Sequence, residues 1–103
     1  MILIFIYIKM PIHVHARMYI NDDGKLAEEI KKMIDASLKD SGCIAYSFFQ
    51  NILEKTEYIM VEKWENKEKL DEHLKTEHFA KLGEYLKKVS IKPMQLEVIE
   101  EKS

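Results

Sequence analysis

Two lengths of this chain, Pro11 to Gln50 and Tyr58 to Glu100, carry the same succession of hydrophobic periods, and that duplication limits the fold more than any single motif. In PIHVHARMYI, residues 11–20, Ile12, Val14, Ala16, Met18 and Ile20 alternate with His13, His15, Arg17 and Tyr19. Successive side chains of a strand point to opposite faces, so this run reads as a strand with one apolar face. NDDG at 21–24 breaks it and offers Asp22 or Asp23 as a helix N-cap. Leu26, Ile30, Met33, Ile34 and Ser37 or Leu38 then recur at helical spacing, and Gly42 suits the left-handed position that ends a helix. The aromatic-rich CIAYSFFQ, 43–50, is a second strand.

The second length opens with a strand from about Tyr58 to Glu65, which sets Tyr58, Met60, Glu62 and Trp64 on one face. Asn66 and Thr76 are successive N-cap candidates. Leu70, His73 and Leu74 make one inward stripe, and Phe79, Leu82, Leu86 and Val89 another, which predicts a short helix and then a longer one. IKPMQLEVIEE, 91–101, alternates as a last strand, with Pro93 placing its start at an edge or an irregularity.

Strand, helix, strand, taken twice with right-handed crossovers, predicts an α+β, ferredoxin-like βαββαβ fold. Its antiparallel sheet has the first and third strands in the centre and helices on one face. The uncovered face is expected to carry several of Tyr19, Tyr46, Phe48, Phe49 and Tyr58, too much aromatic surface to leave wet. A homodimer through that sheet face, a dimeric α+β barrel, is the expected remedy.

The chain has 103 residues, enough for one core, so residues 10–103 are read as a single domain. The first nine, MILIFIYIK, are an apolar extension too short to cross a bilayer, without the basic start and small-residue cleavage site of a secretory signal. They read as an added edge strand or, by preference, as an extension upstream of a natural start at Met10. A net charge of −2, with lysines interleaved among glutamates, gives no basic face for nucleic acid. The single cysteine, Cys43, has no partner for an internal disulfide, and a reducing cytoplasm is the expected compartment.

Three groups of residues in this order carry a family resemblance: Ser41-Gly42-Cys43-Ile44-Ala45-Tyr46, Glu62-Lys63-Trp64-Glu65, and Leu70-Asp71-Glu72-His73-Leu74 with Glu77-His78-Phe79. Over about Met10 to Glu100 the chain resembles the antibiotic biosynthesis monooxygenase domain family, small dimeric proteins with a ferredoxin-like protomer. The resemblance implies an oxygenase of quinols or anthrone-like aromatics that uses dioxygen and no metal, flavin or haem. Relatives also include an isomerase of a phosphorylated sugar-like carbonyl compound, haem degraders and proteins of unknown role. The haem degraders have a tryptophan where His73 stands and an axial histidine where Gly83 stands, so haem is not implied here. Fold transfers between relatives more safely than reaction.

Within that frame His78 and His73 are the candidate catalytic residues. His78 falls in the first turn after Thr76, where the helix dipole disfavours a charged imidazole, and a neutral imidazole is what a general base needs. His73 shares the inward stripe of its helix. In one unbroken helix their five-residue separation would point them apart; a break near Lys75 and Thr76 leaves convergence open without requiring it. Trp64, Glu62, Tyr46, Phe79 and His15 are the candidate substrate-binding residues, Trp64 by stacking on a planar ring and donating its indole N–H. Each has a plainer reading beside it: a satisfied core histidine, a buried tryptophan, a Glu62–Arg17 ion pair, wall residues that only pack. His13 and His15 share a strand face but lack a third ligand at recognised spacing, so no metal site is expected.

Overall fold

The computed structural model describes residues 10–102. Seven elements follow in order: β1 (Ile12–Ile20), α1 (Leu26–Ser37), β2 (Cys43–Gln50), β3 (Glu57–Trp64), α2 (Lys67–His73), α3 (Glu77–Val89) and β4 (Ser90–Glu100). The strands form one antiparallel sheet ordered β2-β3-β1-β4, the arrangement the duplicated pattern predicts. The apolar extension at residues 1–9 and its relation to Met10 lie outside the described residues.

Local chemistry sets most boundaries. Asn66 is extended, and its side chain accepts from the Lys69 N–H at 3.0 Å; Thr76 does the same for the Phe79 N–H at 3.2 Å. Each cap satisfies a donor left over at a helix start. The start of α1 departs from expectation, because Lys25 occupies the N-cap position with no side-chain bond. Asp22 lies one turn further out, and its Oδ1 accepts from the Leu26 N–H at 3.3 Å and from Gly24 at 2.8 Å. Gly42 has φ +81°, as its place after α1 requires, and its carbonyl accepts from the Glu65 N–H at 2.8 Å. That bond ties the α1–β2 turn to the end of β3.

The core lies between the helices and one sheet face, built from Ile12, Val14, Ala16, Met18 and Ile20 of β1 with Tyr58, Met60 and Trp64 of β3. Register decides which aromatics join them. Tyr46, Phe48 and Gln50 pair with Glu62, Met60 and Tyr58, so Tyr46, Phe48 and Tyr58 face the helices, and of the five aromatics considered above only Tyr19 and Phe49 lie on the other side. A register shift between Cys43 and Ala45 sets that parity. The uncovered face is more polar than expected: Arg17 bonds Glu57 at 3.1 Å, Tyr19 donates to Gln95 at 3.2 Å, and His13 meets Glu101 at 2.7 Å.

At the sheet edge, β4 is exposed along its whole length. Met94, Leu96 and Val98 point to the helix side, yet no helix among the described residues covers them, and 44%, 60% and 55% of their surfaces stay open. No helix among the described residues is long and apolar enough to cross a membrane.

Candidate active site

Three polar side chains from three segments meet at one carboxylate oxygen. Asp40 comes from the turn between α1 and β2, His73 ends α2, and His78 sits in the first turn of α3. The link between the helices folds back because the Thr76 N–H and Oγ1 both donate to the His73 carbonyl, at 3.1 and 2.7 Å. The imidazoles are thereby brought to 5.7 Å between centroids, the convergence that an unbroken helix would forbid. Asp40 Oδ2 lies 2.8 Å from His73 Nδ1 and 2.7 Å from His78 Nε2. Both contacts are at hydrogen-bond distance, with the one carboxylate oxygen as shared partner.

His73 is 1% exposed and stands in an aromatic box, its ring 4.5 Å from that of Trp64, 5.4 Å from Phe79 and 5.5 Å from Tyr46. Its other nitrogen, Nε2, is buried and has no partner among the described residues; Ser37 Oγ is the only other such atom. Burial pulls the His73 pKa below its ordinary value, against the opposing bond from Asp40.

Beside this cluster, between the inner sheet face and α2 and α3, runs an apolar cleft with about 660 Å³ of empty space, its mouth included. Val14, Ala16 and Met60 form the floor, Leu82 and Leu86 the roof, and the uncovered β4 side chains one wall. Its polar groups are Glu62 and Tyr46. The Trp64 indole N–H donates to Glu62 Oε1 at 2.9 Å, which holds the carboxyl in place. Burial raises the Glu62 pKa above the usual carboxylate range, and the Trp64 bond opposes it. Burial, then the Glu62 charge, raises the Tyr46 phenol, so Tyr46 keeps its proton as a donor.

The seven candidates therefore fall into distinct places. Glu62, Tyr46 and Phe79 line the apolar cleft. Trp64 is fully buried behind it, gripping Glu62 and packed on His73. His73 contacts the cleft's walls without lining it, while His78 borders a second, charged groove with Lys32, Lys81 and Tyr85. His15 lies on the opposite sheet face, in a shallow recess with Arg17, Gln95 and Glu97, and Arg17 is out of reach of Glu62. Asp40 is the residue that the sequence reading missed. Its only signal is an acid two places before the turn glycine, a position where solvated acids are common.

Asp40, His73 and His78 are also the one group of three histidine, cysteine or acidic residues, among the described residues, with donor atoms within 4.8 Å of one another. Ligands around a tetrahedral zinc stand roughly 3.4 Å apart, given metal–ligand bonds near 2.1 Å. The observed contacts of 2.7 and 2.8 Å are those of hydrogen bonds already closed between the three groups.

Residues 11–85 match the family described as antibiotic biosynthesis monooxygenase. This chain belongs to that family. Among solved structures it is similar to a Bacteroides thetaiotaomicron protein of unknown function described as a possible oxidoreductase, at 30% identity and TM-score 0.80, covering 89% of this chain and 98% of that one. It is likewise similar to a conserved Methanosarcina mazei protein, at 26% identity and TM-score 0.80, covering 90% and 94% of the two chains. An uncharacterised Synechocystis protein is 29% identical over 92 residues, which are 85% of this family member and 61% of that relative. The chain thus spans about three-fifths of the length of that relative.

Proposed function

We propose that this family member is a monooxygenase acting on a flat hydroxylated aromatic, a quinol or anthrone-like ring system, with a histidine as general base. The observation that carries the reading is the apolar cleft with Glu62 and Tyr46 as its polar end and two of its walls, Tyr46 and Phe79, packed on His73. A guest ring lies between Met60 and Leu82, and its hydroxyl meets Glu62. Phe79, 37% exposed, moves off the edge of His73 to let base and guest meet, with His78 at the far side of Asp40. Trp64 acts from behind by fixing Glu62.

Removal of the hydroxyl proton leaves an electron-rich anion that passes one electron to dioxygen. The radical pair joins carbon to oxygen as a hydroperoxide, whose O–O bond breaks as that carbon gives up its hydrogen. One oxygen atom stays as a carbonyl, the other leaves as water, and all four electrons that dioxygen accepts come from the substrate. The protein contributes orientation and a dry surrounding. The reading as an isomerase of a phosphorylated carbonyl compound is less well supported, because no cationic side chain lines the cleft among the described residues. In the same proposal two copies pair through the uncovered sheet face, which holds His15, and the partner helps to close the cleft along β4.

Oxygen uptake tests the reaction. A hydroquinone and anthrone panel is mixed with protein anaerobically and then exposed to air, using wild type, His73→Gln and His78→Ala. Protein-dependent uptake that falls by about 10²-fold or more in at least one histidine variant is expected. Uptake with no member of the panel, or equal uptake by all three proteins, rejects the assignment.

A further inference from the structure

We infer that Asp40 is a positioning residue that fixes the tautomer of His73, keeping the proton on Nδ1 and the lone pair on Nε2. The inference deepens the general-base reading and rests on it for its catalytic consequence, but its structural half stands on the hydrogen bonds alone.

A neutral imidazole has one N–H, and two placements compete for it. With the proton on Nε2, the Nδ1 lone pair would face a carboxylate oxygen at 2.8 Å, lone pair against negative charge. The N–H would then be buried without an acceptor among the described residues. With the proton on Nδ1, the short contact becomes a charge-assisted hydrogen bond. The second placement wins on both counts. It leaves Nε2 as an unoccupied acceptor inside the box of Trp64, Tyr46 and Phe79, the atom a base must offer.

The same oxygen also accepts from His78 Nε2 at 2.7 Å, so Asp40 is held from two sides and has little freedom to turn away from His73. Gly42 adds a third restraint through its backbone bond to Glu65. Asp40 does not line the apolar cleft and acts only through the imidazole it orients.

Asp40→Asn nearly preserves shape while removing the reason for the tautomer, since an amide presents both a donor and an acceptor to Nδ1. The test is nitrogen NMR of the protein labelled at histidine, at mildly alkaline pH, in wild type, Asp40→Asn and His78→Ala, with oxygen uptake measured in parallel. In wild type and His78→Ala, the His73 Nε2 resonance is expected at the position of an unprotonated imidazole nitrogen. In Asp40→Asn it is expected to move toward the protonated position, with kcat falling about 10²- to 10⁴-fold and KM little changed. A wild-type His73 protonated on Nε2 overturns the inference, and that measurement needs no variant to fold. An Asp40→Asn protein that folds and keeps the wild-type resonance overturns it as well. If wild type consumes no oxygen with any substrate, the monooxygenase reading fails, while the NMR still decides the role of Asp40.

Discussion

Replacing Gly42 with alanine is expected to destabilise the fold by about 2–5 kcal/mol, adding the two costs that follow. A backbone at φ +81° costs a residue with a Cβ about 1–2 kcal/mol. The new Cβ would also stand 2.5 Å from Lys69 Cβ and 2.9 Å from Lys69 Cδ. The first of these atoms is fixed to the α2 backbone and has nowhere to go. Overpacking of that kind costs about 1–3 kcal/mol. Gly24 supplies the control, because its φ is +91° and nothing lies within 4 Å of the site of an added Cβ. Gly24→Ala should therefore lose only the backbone part, about 1–2 kcal/mol. Urea unfolding measures both, and at about 1–3 kcal/mol per molar of urea for a small domain the two midpoints separate by roughly 1 M. Adding Lys69→Ala to Gly42→Ala removes Cγ and Cδ but keeps Cβ, so it should restore only part of the loss. A Gly42→Ala protein no less stable than Gly24→Ala would refute the close approach of the α1–β2 turn to α2 on which the placement of Asp40 depends.

Two further substitutions probe the polar end of the cleft. Burial raises the Glu62 pKa in the folded state, so the stability linked to its proton is fully present below the unfolded value of 4.5 and is lost as pH rises through the folded value. Glu62→Gln cannot ionise; its stability relative to wild type should grow from about pH 4.5 upward and level off once Glu62 is charged, and urea midpoints across a pH series that show no such growth would exclude a buried, proton-retaining carboxyl. Trp64→Phe removes the donor to Glu62 Oε1 and part of a fully buried ring, and should cost about 2–4 kcal/mol by thermal or urea unfolding, of which about 1–3 kcal/mol reflects the unpaired carboxyl. The same substitution in a Glu62→Leu background, which offers no acceptor, should cost measurably less, and an equal cost would show that the indole N–H bond contributes nothing.

Legibility followed the range of each interaction. Asn66, Thr76 and Gly42 could be placed from residue type, since each acts on backbone three or fewer residues away or on its own φ. The cap of α1 could not, because Asp22 and Asp23 both offered a carboxylate and the chain folded so that neither took the cap position. The strand CIAYSFFQ has aromatics on both parities, so alternation alone does not say which face meets the helices. Its pairing with β3, shifted after Cys43, turned Tyr46 and Phe48 inward. Glu62, Tyr46 and Phe79 were named from the sequence and line the cleft; His15 was named too, but the parity that makes Val14 and Ala16 core sends it to the other side of the sheet.

By itself, the sequence determined the order of elements, the antiparallel sheet with its helices on one face, and a break in the helical pattern after His73. Periodicity, capping and turn residues encode these locally. Only the tertiary structure decided that Asp40, 33 positions before His73, supplies the oxygen both imidazoles share, and that Trp64 grips Glu62 from behind rather than facing the cleft. A hydrogen bond between distant segments leaves no periodic trace in a chain, because its partners are set by how the segments pack and not by their neighbours in sequence.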